Sequence, residues 1–118
     1  MTVTLYGIRN CDTVKKARAF LDAAGVNYAF HDFKKAGLTA DVVERWLTEV
    51  PLDRLVNRRG TTWRALNNAE REALSVDSAP ALCARNPSLV KRPVVEWGRH
   101  TTVGFDAESW STHLTDRV

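Results

Sequence analysis

Apolar and polar residues alternate at the start of the chain, and the spacing then becomes helical. Val3, Leu5 and Ile8 stand among polar neighbours, which predicts a short strand. Asp and Thr in residues 10–13 are good helix caps, and the apolar face that follows is Val14, Ala17, Phe20, Leu21 and Ala24. Gly25 predicts the end of this helix, and residues 26–30 predict a second strand. Together they predict a βαβ unit with parallel strands and a right-handed crossover.

The middle of the chain has helical spacing that proline and glycine interrupt. We expect a loop at 34–38 and then a helix capped by Thr39. The apolar face of that helix is Val42, Val43, Trp46, Leu47 and Val50. Further helices are expected at 52–57, 67–74 and 78–85, with a loop at 58–62.

The end of the chain returns to strand patterning. Residues 94–97 and 101–105 flank a glycine-containing turn, which predicts an antiparallel hairpin, and Asp106 can cap a last helix over 107–114. The order βαβ, helices, ββα predicts an α/β protein with a thioredoxin-like fold, a four-stranded mixed sheet and an inserted helical subdomain. We expect one domain over 1–118, with its core in 1–38 and 87–118 and the helical insertion in 39–86.

Composition narrows the class of protein. The 118 residues are 44% hydrophobic and 26% charged, as in ordinary globular proteins, and no stretch approaches the roughly 20 apolar residues of a membrane span. The N-terminus lacks the pattern of a signal peptide, so we expect a cytoplasmic protein without a membrane partner. The net charge of +3 comes from basic residues spread along the chain, so we expect no nucleic-acid partner. The absence of a heptad pattern favours a monomer.

The cysteine of the stretch RNCDT, Cys11, carries the main chemical question. It could be an apolar filler, half of a disulfide, a metal ligand or a nucleophile. Only one other cysteine, Cys83, exists, so there is no disulfide framework, and the three histidines show no ligand spacing with either cysteine, so no metal site is expected. At the start of a helix, unpaired N–H groups and the helix dipole lower the pKa of a thiol. The position and the polar context favour a nucleophile.

A second redox cysteine is missing from the expected helix. Val14 stands where a Cys-x-x-Cys motif would have its second cysteine. Cys83 lies in SAPALCARN, where we expect it to be a small core residue rather than a resolving thiol. Chemistry at Cys11 would then need an external thiol such as glutathione.

Two basic stretches can bind an anion. NRRGTTWR, residues 57–64, combines two arginines with a glycine and two hydroxyl groups, and arginine binds oxyanions through paired hydrogen bonds; the alternative is a solvated basic loop. VKRPVV, residues 90–95, places Lys91 and Arg92 before Pro93. An Arg-Pro bond can be cis, and this turn could bring Lys91 or Arg92 to Cys11; the alternative is a proline that starts a strand.

In VGFD, residues 103–106, Gly104 could allow a close backbone approach, or serve only as a turn.

Four stretches together resemble the arsenate reductase (ArsC)-like family, and within it the YffB branch, which is related to Spx. They are LYGIRNCDTVKKAR, FHDFKKAGL, LVNRRGTTWRAL and LVKRPVVEWG followed by VGF. The resemblance implies that Cys11 is the nucleophile and that Arg92 holds an oxyanion. Arg59 is the expected middle arginine, because the NRRG turn could bring it inward. Asn10, Lys91 and Pro93 complete the expected substrate and glutathione site.

One departure from the family pattern bears on the reaction. The arsenate reductases have a third arginine late in the sequence, and residues 102–105, TVGF, contain none. We therefore expect a glutathione-dependent thiol/disulfide oxidoreductase with a single nucleophilic cysteine, with glutathione as co-substrate and no tightly bound cofactor. The alternatives are a glutaredoxin-coupled arsenate reductase and an Spx-like partner-binding regulator.

Overall fold

The computed structural model describes residues 2–116, with side chains as far as Leu114. Its four strands form one mixed sheet in the order β2-β1-β3-β4. The strands are β1 (Val3–Gly7), β2 (Tyr28–Asp32), β3 (Val94–Glu96) and β4 (Thr101–Val103). β1 pairs with β2 in parallel and with β3 antiparallel, and β3 pairs antiparallel with β4. The predicted thioredoxin-like α/β fold with a four-stranded mixed sheet is confirmed.

The helices follow the predicted order along the chain, and most are short. They are α1 (Asp12–Ala23), α2 (Phe33–Ala36), α3 (Ala40–Leu47), α4 (Leu52–Leu55), α5 (Thr61–Ala65), α6 (Asn68–Glu72), α7 (Ala79–Arg85) and α8 (Ala107–Asp116), with a 3₁₀ turn at Pro87–Leu89. The Asp106 cap is confirmed, because its Oδ1 accepts a hydrogen bond of 3.2 Å from the N–H of Glu108.

The chain divides into two compact units. The first contains the described residues of Met1–Asp32 and Arg92–Val118, and the second is Phe33–Lys91. The segment just before Arg92 belongs to the second unit because it pairs with residues 55–56. Val90 forms an isolated antiparallel β-bridge with Val56, and the N–H of Lys91 donates to the carbonyl of Leu55 at 2.8 Å. The second unit, Phe33–Lys91, therefore extends several residues beyond the predicted helical insertion, 39–86, at both ends. That the chain forms one domain stays a prediction.

The core of the first unit is an apolar cluster between the sheet, α1 and α8. Its buried members are Val3, Leu5, Val14, Ala17, Leu21, Val95, Trp97 and Trp110. The two tryptophans meet edge to face with ring centroids 5.0 Å apart, an arrangement that aromatic pairs favour. The cluster anchors α1 on β1, and so determines where the start of α1 lies.

The second strand begins two residues later than predicted. Gly25 adopts a positive φ of 71°, and its N–H donates to Asp22 while that of Val26 donates to Leu21. This pair of bonds is a Schellman ending, which holds Val26 at the end of the helix. The prediction of strand residues 26–27 is therefore wrong.

Two predicted loops in the second unit contain one-turn helices. α2 overlaps the predicted loop 34–38, and its first residue, Phe33, is buried with its ring centroid 6.5 Å from that of Trp46. At 58–62 the loop ends in α5, which begins at Thr61. Both turns are too short for a hydrophobic period to reveal them.

Candidate active site

Cys11 lies between β1 and α1 and is the N-cap residue of that helix. Its backbone is extended, with φ −119° and ψ 125°, and its carbonyl accepts the N–H of Lys15 at 2.9 Å. The thiol is free and half-buried, on the edge of the core cluster. A half-buried thiol at a helix start is accessible to a small substrate and close to unpaired N–H groups.

The surroundings of Cys11 have opposing effects on its thiol. Partial burial would by itself raise the pKa of Cys11, but hydrogen bonding from Val14 N–H, from Arg92 and from Thr13 N–H, together with the Arg92 charge, lowers it overall. The Cys11 side chain makes no capping hydrogen bond, so these N–H groups act on the thiol as unpaired donors at the open end of the helix. The net result favours the thiolate, which is the nucleophilic form.

Thr13 and Val14 contribute backbone groups that the residue types alone did not reveal. They are the second and third residues of α1. The N–H groups at these two positions are those that donate hydrogen bonds to an N-cap side chain. In the sequence, only their positions two and three residues after Cys11 could have identified these N–H groups, because the side chains of Thr13 and Val14 give no indication. Asn10, before Cys11, is exposed in the turn that leads into α1, and its role stays a prediction.

Arg92 is the sequence-predicted cation that the structure brings to Cys11. Its side chain hydrogen-bonds the Cys11 sulfur, and its Nε atom is shielded from solvent. The Arg92-Pro93 peptide is cis, and Pro93 is buried. The expectation that this turn places a cation beside the nucleophile is confirmed for Arg92.

A backbone hydrogen bond secures the turn that carries Arg92. The N–H of Gly104 donates to the carbonyl of Pro93 at 2.8 Å, next to the ladder pair of Val94 and Val103. Gly104 has a positive φ of 87°, a conformation that favours glycine. Of the two roles considered for Gly104, the positive φ fits a turn, and a Cβ atom built there would meet nothing within 4 Å, so no close backbone approach requires the glycine.

Arg59 and Lys91, the other two predicted cations, belong to the second unit. The N–H of Arg59 donates to Asn57 Oδ1 at 3.1 Å, and Arg59 is exposed, so its expected inward orientation stays a prediction. Lys91 is also exposed, and its Nζ donates to the Asp53 carbonyl at 3.4 Å. The neighbouring Arg58 pairs with the Asp53 carboxylate at 3.0 Å. Binding of glutathione by Arg59 and Lys91 stays a prediction.

Cys83 has the environment of a core residue. It lies in α7 and is buried beside Leu82, as predicted. Burial raises the pKa of the Cys83 thiol to about 11. A thiol with this pKa is protonated at neutral pH and is a poor nucleophile.

Residues 2–116 lack the features of two other classes of site. No three His, Cys, Asp or Glu side chains in this range lie together as a metal ion would require. Of the described helices, none has the length and apolar character needed to cross a membrane.

Comparison with known proteins identifies the family. The ArsC family model matches residues 6–113. The chain belongs to the ArsC family. A solved structure named YffB is 42% identical with a TM-score of 0.91, covering 95% of this chain and 98% of that one. An arsenate reductase (ArsC) related protein from Brucella melitensis is 46% identical with a TM-score of 0.73, covering 97% of this chain and 95% of that one.

The regulatory relatives are more distant but span nearly the same length. The global transcriptional regulator Spx of Listeria innocua is 28% identical over 98% of this chain and 89% of its own. The chain is therefore similar in sequence both to arsenate reductase-related proteins and to Spx. The family and the relationships expected from the four sequence stretches are confirmed.

Proposed function

We propose that this protein is a glutathione-dependent thiol/disulfide oxidoreductase that uses Cys11 as its single nucleophile. The observation that carries the proposal is the half-buried Cys11 thiol at the start of α1, whose pKa is lowered, after the opposing effect of burial, by backbone N–H groups and by Arg92. Membership of the ArsC family supports an oxidoreductase activity. We extend the proposal to a monomer acting in the cytoplasm.

The proposed cycle needs only one protein sulfur. The Cys11 thiolate attacks the glutathione sulfur of a mixed disulfide, a new S–S bond forms at Cys11, and the substrate leaves as a thiolate that takes up a proton. A glutathione thiolate then attacks the Cys11 adduct, forms oxidised glutathione and releases the Cys11 thiolate. The substrate disulfide is reduced, and two glutathione units end as one disulfide.

The residues around Cys11 have separate roles in this cycle. Arg92 stabilises the thiolate both before attack and on release, because a charged hydrogen bond is stronger for the anion than for a neutral sulfur. Asn10 and Pro93, next to Cys11 and Arg92 in the chain, would contact the glutathione backbone. Arg59 and Lys91 would bind a glutathione carboxylate, a role that their exposed positive charges support.

Turnover of a glutathione mixed disulfide tests the proposal. The disulfide of glutathione and 2-mercaptoethanol is supplied with glutathione, and formation of oxidised glutathione is followed through glutathione reductase and NADPH. We expect turnover by the full chain, its loss in Cys11→Ser, and its retention in the matched variant Cys83→Ala. Equal turnover by Cys11→Ser and the unsubstituted protein would refute the proposal.

Glutaredoxin-coupled arsenate reduction is the second candidate. The guanidinium of Arg92 beside Cys11 can hold an oxyanion while the thiolate attacks it, and the Brucella melitensis relative is described as arsenate reductase-related. Against it, the segment from β4 to Gly104 carries no arginine, and the Gly104 N–H is engaged by Pro93. Arsenate turnover with glutathione and glutaredoxin, absent in Cys11→Ser, would favour this candidate over disulfide reduction.

An Spx-like regulator is the third candidate. The similarity to Spx over 98% of this chain supports it. Val14, in place of a second cysteine, leaves α1 without a disulfide switch of the Cys-x-x-Cys type. Binding of purified RNA polymerase by the full chain, in an amount that responds to oxidation of Cys11, would support a regulator.

A further inference from the structure

Gly7, the last residue of β1, lies in unusually close contact with the first turn of α1. Gly7 is buried, and a Cβ atom built on it would lie 2.8 Å from Val14 Cγ2 and 3.4 Å from Val14 Cγ1. Carbon atoms pack best at about 3.5–4.0 Å. No side chain fits at position 7 unless Val14 moves.

Val14 has little freedom to move away from such a side chain. It is β-branched, and in a helix a valine has one strongly preferred χ1 rotamer. Its side chain is fully buried in the core cluster, with Leu5 and Leu21 among its other members. A methyl group at position 7 would therefore displace the backbone of α1 at its first turn rather than only rotate a side chain.

The displaced backbone is the part of the chain that contacts the nucleophile. Val14 packs against Gly7 with its side chain, and its own N–H and that of Thr13, at the open start of α1, are the backbone groups that lower the pKa of the Cys11 thiol. Hydrogen bonds weaken steeply with distance and angle. A small shift of this turn would therefore change the placement of these N–H groups.

We propose that Gly7 is a positioning residue for the nucleophile: its missing side chain lets Val14 seat against β1, and this seating holds the Thr13 and Val14 N–H groups toward the Cys11 sulfur. The inference rests on the proposed role of Cys11, and it adds Gly7, on β1, to the residues that position the Cys11 thiol. Val14 stands where a Cys-x-x-Cys motif would have its second cysteine, and in this protein its role is to pack against Gly7. Gly7 acts through the helix backbone and does not touch the substrate.

The test is a double-mutant cycle between Gly7 and Val14 in the full chain. The rate of iodoacetamide alkylation of Cys11 is measured against pH, by peptide mass spectrometry, for the unsubstituted protein, Gly7→Ala, Val14→Ala and the double variant. We expect Gly7→Ala to move the midpoint upward and to slow alkylation at pH 7 roughly three- to tenfold, as a weakened hydrogen bond to an anion implies. Since Val14→Ala removes the clashing methyl groups, adding Gly7→Ala to it should move the midpoint no further.

A purely structural role for Gly7 gives a different result. Gly7→Ala would then lower the stability to urea but leave the midpoint where it is in the unsubstituted protein, and that result would overturn the proposal. If Gly7→Ala does not fold, Val14→Ile adds a methyl group at the same contact from the helix side and should raise the midpoint. An unchanged midpoint in Val14→Ile would overturn the proposal too.

The cycle also separates this inference from the proposed function. An ordinary thiol midpoint in the unsubstituted protein would contradict the activated Cys11 itself. A low midpoint in the unsubstituted protein that Gly7→Ala does not change would leave Cys11 activated and reject only the role of Gly7.

Discussion

Cys11 and Cys83 carry the same thiol in surroundings that move its pKa in opposite directions. Burial tends to raise the pKa of both cysteines. At Cys83 no stronger effect opposes it, and the pKa rises to about 11. At Cys11 burial is outweighed by the N–H groups of Val14 and Thr13 and by Arg92, so the pKa falls.

The difference follows from where each cysteine lies in its helix. Cys11 precedes the first turn of α1, where N–H groups have no partner within the helix. Cys83 lies inside α7, where the N–H groups ahead of it are used by the helix and its carbonyl accepts the N–H of Asn86 at 3.2 Å. Burial without an opposing donor therefore makes Cys83 inert, whereas the helix start and Arg92 overcome partial burial at Cys11.

Oxidised glutathione should distinguish the two cysteines completely. The native protein is expected to gain one glutathione unit, at Cys11, because this thiol has a lowered pKa and is partly exposed, whereas that of Cys83 is buried and has a raised pKa. Intact mass spectrometry followed by peptide mapping measures the adduct, and denatured protein, in which both cysteines react, is the control. An adduct at native Cys83 would contradict the contrast between the two sites.

Removing the Arg92 charge should bring Cys11 closer to an ordinary thiol. In Arg92→Gln the pKa of Cys11 is expected to rise, because a hydrogen-bonding cation is lost and burial remains. Disulfide turnover at pH 7 should fall roughly tenfold, since a hydrogen bond to a charged group contributes about 1.5–3 kcal/mol. The pH profile of alkylation measures the shift.

Arg92→Lys is the matched control for this substitution. It keeps the positive charge but loses the planar fork of the guanidinium, so its activity should lie between that of Arg92→Gln and the unsubstituted protein. A pH profile that is the same in all three proteins would show that Arg92 does not act on the thiol.

Cys83 should make the stability of the protein sensitive to alkaline pH. Its folded pKa, about 11, lies above the reference value of 9.0, so its stabilising contribution is complete below pH 9 and is lost as the pH rises through the folded pKa. At pH 10 the loss should be about 1 kcal/mol. The lowered pKa of Cys11 has the opposite sign: its contribution is present above the unfolded pKa and is lost as pH falls through the folded pKa.

Urea unfolding of reduced protein at pH 8, 9 and 10 measures this effect. The free energy of unfolding should fall less steeply with pH in Cys83→Ala than in the unsubstituted protein. Parallel pH dependences in the two proteins would mean that Cys83 is already ionised or exposed in the folded state.

Much of this site could be predicted from the sequence, because its signals are local. The helix start at Cys11, the core role of Cys83 and the Arg92-Pro93 turn each follow from a few neighbouring residues, and the structure confirms all three. The order of strands and longer helices can likewise be predicted from the spacing of hydrophobic residues.

What the sequence did not reveal depends on single turns and on backbone atoms. α2 and α5 are too short to show a helical period, and the Schellman ending at Gly25 moved the start of β2. Arg59 is exposed, which neither its residue type nor its neighbours in NRRG indicate. The contact between Gly7 and Val14 requires coordinates, since nothing in the residue types indicates how closely β1 and α1 approach.

The smallest expected effect concerns Arg59 and Lys91, the two exposed cations proposed to bind a glutathione carboxylate. Arg59→Gln and Lys91→Gln should each raise the KM for glutathione about two- to fourfold with little change in kcat, because an exposed ion pair contributes only about 0.2–1 kcal/mol. Steady-state turnover at varied glutathione, in low and high salt, measures it, and high salt should reduce the difference. Arg99→Gln, which removes an exposed arginine of the β3–β4 turn, is the matched control. An equal rise of KM in Arg99→Gln would attribute the effect to net charge and exclude specific carboxylate binding by Arg59 and Lys91.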